Sequence, residues 1–494
     1  MASTARELAA KTPVTRDRYM DLLRVASLAT VVLGHWLMAA VSTGDTGRVE
    51  IGNLLAVVPG LQVLTWVLQI MPVFFFVGGF SHALSYRSLQ RRSGGSPVYA
   101  AFLRARLQRL LRPTMVFILV WGAGALLVQL AGAGGGLLDM TLRLVAQPLW
   151  FIGIYLAMVA FTPPLLRLHE RYGWGAFGAL LAAAAAVDVL RFAAGVPFVE
   201  FLNFAFVWLA VHQLGFLRAD GRLRLRLPAL LALGGLAGAA LLVAFGPYPL
   251  SMVGLPGEKI SNMAPPTLAL LCHGLWLVGA VELARRPVTR WLERPKVWRT
   301  VVAANGVSMT AFLWHLTAML GVYGGLLALD VALPEPAAAA WWTQLPLRLA
   351  AATVLTAVLV AAFRGFENPP AARAAAANPH TANRTRASGS TPAATHTPDA
   401  THTPAATHTP AAARIPVSAP SPNSARTTPA SGPLAVLGVT LSLFGVLGVS
   451  MVGFGGLLEG RSALLIAVRV TAPAAVAMAL AGWFLVERAG RDRA

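Results

Sequence analysis

The chain has 494 residues, of which 56% are hydrophobic and only 12% are charged, and its formal net charge is +20. Soluble proteins carry about 25% charged residues, so a chain this apolar could not cover its surface in water. These proportions exclude a cytosolic or secreted fold and indicate an all-α, polytopic transmembrane helix bundle.

Apolar runs that reach about 20 residues, the length of a bilayer-spanning helix, predict twelve spans. In chain order the predicted spans lie near residues 20–41, 61–84, 113–132, 148–166, 175–191, 200–217, 228–246, 266–284, 307–330, 344–363, 434–456 and 463–486. The first apolar run is too long for the apolar part of a cleaved signal peptide, so we interpret it as a retained span.

The distribution of positive charge predicts the topology. If the N-terminus is cytoplasmic, segments on the cytoplasmic side hold 32 of the 40 Lys and Arg residues, and segments on the outer side hold four. The positive-inside rule predicts this asymmetry for a multi-pass protein of the cell membrane with both termini in the cytoplasm. The net charge therefore indicates topology, and no nucleic-acid partner is expected.

Composition divides the chain into four parts. We predict a cytoplasmic N-terminal tail at residues 1–18, a ten-span domain at 19–366, a linker at 367–432 and a C-terminal transmembrane hairpin at 433–494. The linker is rich in Ala, Pro, Thr and Ser and has few large apolar side chains, so it is expected to be disordered.

No metal centre is expected from the cysteine and histidine content. Cys272 is the single cysteine, which excludes an intrachain disulfide and a cysteine-based metal site. A short repeat in the linker carries His396, His402 and His408. We interpret this repeat as part of a disordered linker, and a histidine metal site there is the less favoured alternative.

The first predicted span carries a polar stripe. Arg24 and His35 are eleven residues apart, which places them only about 20° apart around a helix, with His35 about 16 Å deeper. Asp21 falls on the same side of the helix. Arg24 alone could be an interfacial arginine and His35 alone a packing histidine, but ionisable residues in a membrane are costly, and two on one face favour a functional site.

An arginine cluster lies between the second and third predicted spans. It contains Arg104, Arg106, Arg109 and Arg112, followed by Pro113. Helical spacing predicts a cytoplasmic surface helix on which Arg104 or Arg106 lies near Arg109. Because guanidinium groups bind phosphate bidentately, the cluster suits a phosphate-bearing ligand. The alternative is a further positive-inside loop with no ligand.

These motifs resemble those of the membrane-bound acyltransferase-3 family. The first span of that family carries an arginine, ten residues and then a histidine, as Arg24 and His35 do here, and its Arg-x-Arg motif corresponds to Arg104 and Arg106. The segment from Phe74 to Phe80 is similar to the signature of the family's second span.

Further similarities extend the resemblance over roughly residues 15–365. The Leu-Trp segment at 148–151 and the stretch from Ser308 to His315 look like later motifs of the family. Two features depart from the pattern. Gly78-Gly79 stands where the family usually has Ser-Gly, and the linker with its C-terminal hairpin matches no pattern of the family.

The resemblance implies an integral membrane O-acyltransferase. Such an enzyme would move an acetyl or other short acyl group from cytoplasmic acyl-CoA to a hydroxyl of an envelope glycan, glycolipid or secondary metabolite. Acyl-CoA would be a co-substrate, and no bound cofactor is expected. The residues implied are His35 and Arg24 for catalysis, Arg104, Arg106 and Arg109 for acyl-CoA binding, and Asp21, Ser308 and His315 as candidate cavity-lining groups.

A neutral histidine such as His35 can accept a proton from an acceptor hydroxyl at neutral pH. Whether it acts as a base or helps to form an acyl-enzyme is left open. His315 has an alternative interpretation as a polar contact between helices. For the whole chain the alternative is a secondary transporter or exporter, which we favour less because the halves show no inverted-repeat symmetry.

Overall fold

The computed structural model describes residues 6–7, 9–13, 16–43, 48–132, 134–367, 431–458, 460–465 and 468–489. These residues form a helix bundle with two small β-hairpins, which confirms the predicted fold class. Nearly all of the predicted linker, including the histidine repeat, lies outside the described residues, as does much of the predicted N-terminal tail.

Twelve helical segments among the described residues are long and apolar enough to cross a membrane. This number agrees with the twelve spans predicted from the sequence, and the chain is a multi-pass membrane protein.

The helices of the first part of the chain are, in order, α1 (Arg18–Met38), α2 (Leu54–Val57), α3 (Thr65–Leu68), α4 (Met71–Arg92), α5 (Tyr99–Leu130), α6 (Gly136–Ala146), α7 (Leu149–Tyr172), α8 (Trp174–Phe192), α9 (Asn203–Ala219), α10 (Leu227–Phe245), α11 (Leu268–Leu292), α12 (Pro295–Asn305), α13 (Ser308–Ala328) and α14 (Ala339–Glu367). The C-terminal pair is α15 (Ser431–Val452) and α16 (Ala472–Ala489). Two antiparallel hairpins join β1 (Ala39–Thr43) to β2 (Val49–Asn53) and β3 (Ser462–Leu465) to β4 (Val468–Thr471).

Helix α1 packs against α4, α11, α12 and α13. It begins at an N-cap, where the Asp17 carboxylate accepts hydrogen bonds from the backbone N–H groups of Tyr19 and Met20. It ends where β1 begins. We call the end of the bundle at which α1 begins the proximal face, and the end at which α1 meets β1 the distal face.

Two predicted boundaries are corrected by the structure. Helix α5 runs without interruption through Pro113, so the arginine cluster belongs to a spanning helix rather than to a separate surface helix. A proline inside a membrane helix is tolerated. Next to it, the Thr114 hydroxyl donates to the Leu110 carbonyl of the same helix at 2.7 Å. Arg469, expected inside the twelfth span, lies instead in strand β4.

The C-terminal hairpin is joined to the bundle. Helices α15 and α16 approach closely through glycines: a Cβ atom on Gly445 would lie 2.2 Å from the backbone nitrogen of Ala479. The pair packs against α5 and α7. Near the proximal face the buried Glu487 carboxylate of α16 accepts hydrogen bonds from Arg112 and Gln108 of α5. The hairpin therefore contacts the same helix that carries the arginine cluster.

Candidate active site

Two histidines from distant parts of the sequence meet in the distal half of the bundle. His35 Nδ1 on α1 lies 2.7 Å from His315 Nε2 on α13. The two rings are nearly coplanar, with an interplanar angle of 6° and centroids 5.0 Å apart, so the hydrogen bond lies in the plane of both rings. A second bond, from the Trp36 indole N–H to the His315 carbonyl at 3.1 Å, holds α1 against α13 at the same level.

The hydrogen-bond partners determine the tautomers of the two neutral rings. His315 Nδ1 lies 2.5 Å from the carbonyl oxygen of Phe312, and because a carbonyl can only accept, His315 Nδ1 must carry the hydrogen. Nε2 of His315 is then an acceptor, so His35 must donate from Nδ1. This chain of bonds leaves the lone pair of His35 Nε2 available, which is the form that a general base requires.

His35 lines a cavity of about 450 Å³ on the distal side of the bundle. The walls come from α1, the β1–β2 hairpin, the segment from Leu54 to Met71, the start of α7, the loop around Val253 and helix α13. Pockets that bind small molecules usually enclose about 300–1,000 Å³, so this cavity can hold one. On α1 the lining extends from Thr30 to Met38 and includes His35.

An arginine pair lies on the proximal side of His35. A guanidinium N–H of Arg24 donates to the Ser81 hydroxyl at 3.1 Å, and a guanidinium N–H of Arg106 donates to the Ser81 carbonyl at 2.9 Å. Arg24 and Arg106 therefore converge from α1 and α5 on one residue of α4. Two guanidinium groups held together in this way form a cationic site that suits phosphate.

The other two arginines of the predicted donor site are placed differently. Arg104 is half-buried on α5, but two residues along a helix are about 200° apart, so Arg104 lies on the side of α5 opposite Arg106. Arg109 is exposed and lies within electrostatic reach of Glu367 at the end of α14. Arg24 and Arg106 are thus the arginines that share a contact at Ser81.

Asp21 and Ser308 lie beside the proximal face and are engaged by neighbouring residues. The Asp21 carboxylate accepts hydrogen bonds from Arg16 and from the Asn305 amide, and it lies 4.0 Å from Arg24. The Ser308 hydroxyl donates to the Asn305 carbonyl at 3.4 Å, at the start of α13. Neither residue is part of the lining of the distal cavity, and the third candidate, His315, is not part of it either.

Neither Ser81 nor the role of Gly79 could be identified from the sequence alone. Ser81 is a single hydroxyl at the end of an apolar run, and only the arrival of Arg24 and Arg106 distinguishes it. A Cβ atom on Gly79 would lie 1.9 Å from the carbonyl oxygen of His212, whereas a Cβ atom on Gly78 would meet its nearest neighbour at 3.7 Å. The second glycine of the pair is therefore required for the close approach of α4 and α9, and the first position has room for a small side chain.

His82 and His212 form a separate buried network. The Tyr155 hydroxyl lies 2.9 Å from His82 Nε2, the Thr162 hydroxyl lies near both histidines, and His212 Nδ1 donates to the Phe75 carbonyl at 3.2 Å. This network joins α4, α7 and α9 by polar contacts between helices and lies within electrostatic reach of Arg24 and Arg106.

The fold and this arrangement define a multi-pass membrane protein with a cationic pair and an imidazole pair in one bundle. A family model described as an acyltransferase domain, the acyltransferase-3 model, matches residues 17–364. The chain belongs to that family and is a membrane acyltransferase. No curated protein and no solved structure matches the chain.

Proposed function

We propose that this protein is an O-acyltransferase that moves a short acyl group from acyl-CoA to a hydroxyl group bound in the distal cavity. In this proposal the proximal face is cytoplasmic, in agreement with the excess of Lys and Arg in the segments at that face. The observation that carries the proposal is the position of His35, which lines the cavity and lies on the same helix as the phosphate-binding candidate Arg24.

The donor would bind with its phosphates at Arg24 and Arg106. Arg24 and His35 are separated by about 16 Å along α1, and an extended pantetheine arm would have to bridge this distance. The cavity lining begins at Thr30, six residues from Arg24, so the thioester has to pass about 9 Å of helix before it enters the cavity. The two arginines would neutralise the phosphate charges of acyl-CoA and hold its nucleotide outside the cavity, while the acyl end reaches the His35 imidazole.

The transfer step balances without a further reactant. The acceptor oxygen forms a bond to the thioester carbonyl carbon, and His35 Nε2 takes the hydroxyl proton. The carbon–sulfur bond then breaks, and the proton passes from His35 to the CoA sulfur, so the products are an ester and free CoA thiol. While His35 is charged, its Nδ1–H still donates to His315, which stabilises the imidazolium in a part of the bundle where charge is costly.

His315 is a positioning residue in this proposal, since it acts through His35. It holds His35 in one tautomer and one ring orientation, and the Phe312 carbonyl in turn sets the tautomer of His315. The arrangement follows the logic of other activated bases, in which a third group orients the ring that moves the proton.

The donor site can be tested by binding of radiolabelled acetyl-CoA to the purified protein in lipid nanodiscs. Arg24→Ala and Arg106→Ala should each weaken binding by about tenfold or more, because each removes a charge-assisted contact worth about 1.5–3 kcal/mol. Arg91→Ala is the matched control, since Arg91 is an exposed arginine near the same face. His35→Ala should bind acetyl-CoA normally. Equal binding by Arg106→Ala and Arg91→Ala would contradict the proposal, and complete absence of binding to the wild type would favour a transporter.

A further inference from the structure

The chemistry of the cavity lining restricts the acceptor. The lining contains leucines, methionines, aromatic rings and other apolar side chains, and its polar members besides His35 are uncharged. These uncharged polar residues are Thr30, Asn53, Thr65, Gln69 and Gln147. Among the described residues that line the cavity there is no Asp, Glu, Lys or Arg.

A charged acceptor would find no counter-ion among the described residues of the lining. An unpaired charge moved from water into apolar surroundings loses far more free energy than a few uncharged polar groups can return. A sugar with many hydroxyls and no apolar part would also leave several of them without partners, at about 1–3 kcal/mol for each unsatisfied group. The cavity instead fits a molecule that is mostly apolar and carries a few hydroxyls.

The cavity wall also meets the outer surface of the bundle. Leu64 and Leu68 line the cavity, yet they are 52% and 38% exposed. Val63 and Val67, which do not line the cavity, are 55% and 60% exposed on the same short segment. A continuous apolar surface of this kind marks contact with lipid or another apolar partner. The segment precedes α4 at the distal end, so this surface lies at the level of the distal leaflet.

On the basis of the proposed function, we infer that the acceptor is an uncharged, predominantly apolar hydroxyl compound that reaches His35 from the distal leaflet of the bilayer. A lipid alcohol and a hydrophobic small metabolite share this chemistry. Charged glycans and free water-soluble sugars do not. In the bilayer such a compound is already desolvated, so its apolar part enters the cavity without a second transfer from water.

Three matched acceptors test this inference: octyl β-D-glucoside, D-glucose and octyl β-D-glucuronide. Glucose lacks the apolar tail, which the glucoside carries on its anomeric oxygen. The glucuronide keeps the tail and the ring hydroxyls but has a carboxylate in place of the primary hydroxyl of the glucoside, so its comparison is completed by the charged wall variant below. Each is supplied at equal concentration, below micelle formation, to the wild-type protein in nanodiscs with radiolabelled acetyl-CoA. We expect octyl glucoside to be acetylated at least about tenfold faster than either of the others, which corresponds to about 1.4 kcal/mol.

A charge placed in the wall provides a second, independent measurement. Leu64→Lys puts a cation at the edge of the cavity on a half-exposed side chain, so the fold should tolerate it. The ratio of glucuronide to glucoside acetylation should rise at least fivefold. Val63→Lys is the matched control, because Val63 is equally exposed but does not line the cavity. It should leave the ratio unchanged.

The outcomes separate this inference from the proposed function. Glucose or the glucuronide acetylated within threefold of the glucoside would overturn the inference, as would an unchanged ratio in Leu64→Lys. If the protein binds acetyl-CoA but acetylates none of the three, the inference fails and the proposed donor site stands. If acetyl-CoA does not bind, the proposed function fails and the inference fails with it.

Discussion

Replacement of His315 by phenylalanine tests whether the second imidazole acts through the first. The side chain is buried and lies near the aromatic ring of Phe312, so phenylalanine should pack there. The substitution removes the acceptor for His35 Nδ1–H, a bond of 2.7 Å. An unsatisfied buried donor costs about 1–3 kcal/mol, and such a cost at the transition state corresponds to a rate lower by about 5- to 150-fold.

The rate can be measured as transfer of radiolabel from acetyl-CoA in membrane vesicles that contain each variant. An extract of a deletion strain supplies the unacylated acceptor. His315→Phe should lower kcat by the factor above and leave KM for acetyl-CoA within about twofold, because the donor phosphates bind elsewhere. His315→Gln retains an acceptor oxygen and should recover part of the loss. His35→Phe should lower kcat by about 10²–10⁴-fold, as expected for removal of a general base.

Two results would refute this reasoning. Wild-type kcat in His315→Phe would mean that the hydrogen bond does not position His35. Identical kcat in the glutamine and phenylalanine variants would mean that acceptance of the His35 hydrogen is irrelevant. Thermal unfolding of each variant serves as the control for folding, so that a loss of rate can be separated from a loss of folded protein.

Two further predictions concern packing and pH. Gly79→Ala should lower the midpoint temperature of thermal unfolding, because its Cβ would lie 1.9 Å from a backbone oxygen of α9 and overpacking costs about 1–3 kcal/mol. Gly78→Ala is the control and should be tolerated. Equal midpoints for the two variants would contradict the close packing of α4 and α9 at Gly79. Burial acts to raise the pKa of Asp220, but hydrogen bonds from Arg87 and His169 outweigh it and lower the pKa overall. Its stabilising effect should therefore be complete above about pH 4 and be lost as the pH falls through the lowered value. Asp220→Asn should unfold at a lower temperature than the wild type at pH 7, with the difference shrinking below about pH 4, and a difference independent of pH would contradict this.

The membrane fold could be predicted because its main signal is local. Each span corresponds to its own run of apolar residues. The relative position of Arg24 and His35 follows from helical geometry, because both residues lie on one helix. The prediction of a separate surface helix before Pro113 was wrong, because helix α5 continues through this proline. A proline removes one backbone hydrogen bond from a helix, but membrane helices tolerate it.

The contacts between helices could not be predicted in the same way. His35 and His315 are 280 residues apart, and the sequence indicated only that both could line one cavity. Ser81 has no pattern of its own, since its importance depends on arginines from two other helices. These contacts depend on how the helices pack and rotate, which hydrophobic periodicity on a single chain does not specify.

The most direct test of the account replaces His35 by alanine on the chromosome of the native strain. Extracts of the cell envelope and of the medium from the parent and the variant strain are compared by mass spectrometry, with equal amounts of the protein verified in the membrane. We expect at least one hydroxyl compound to lose an acyl increment in the His35→Ala strain. Unchanged acylation of every compound, with the variant protein present at the parental level, would contradict the central role of His35.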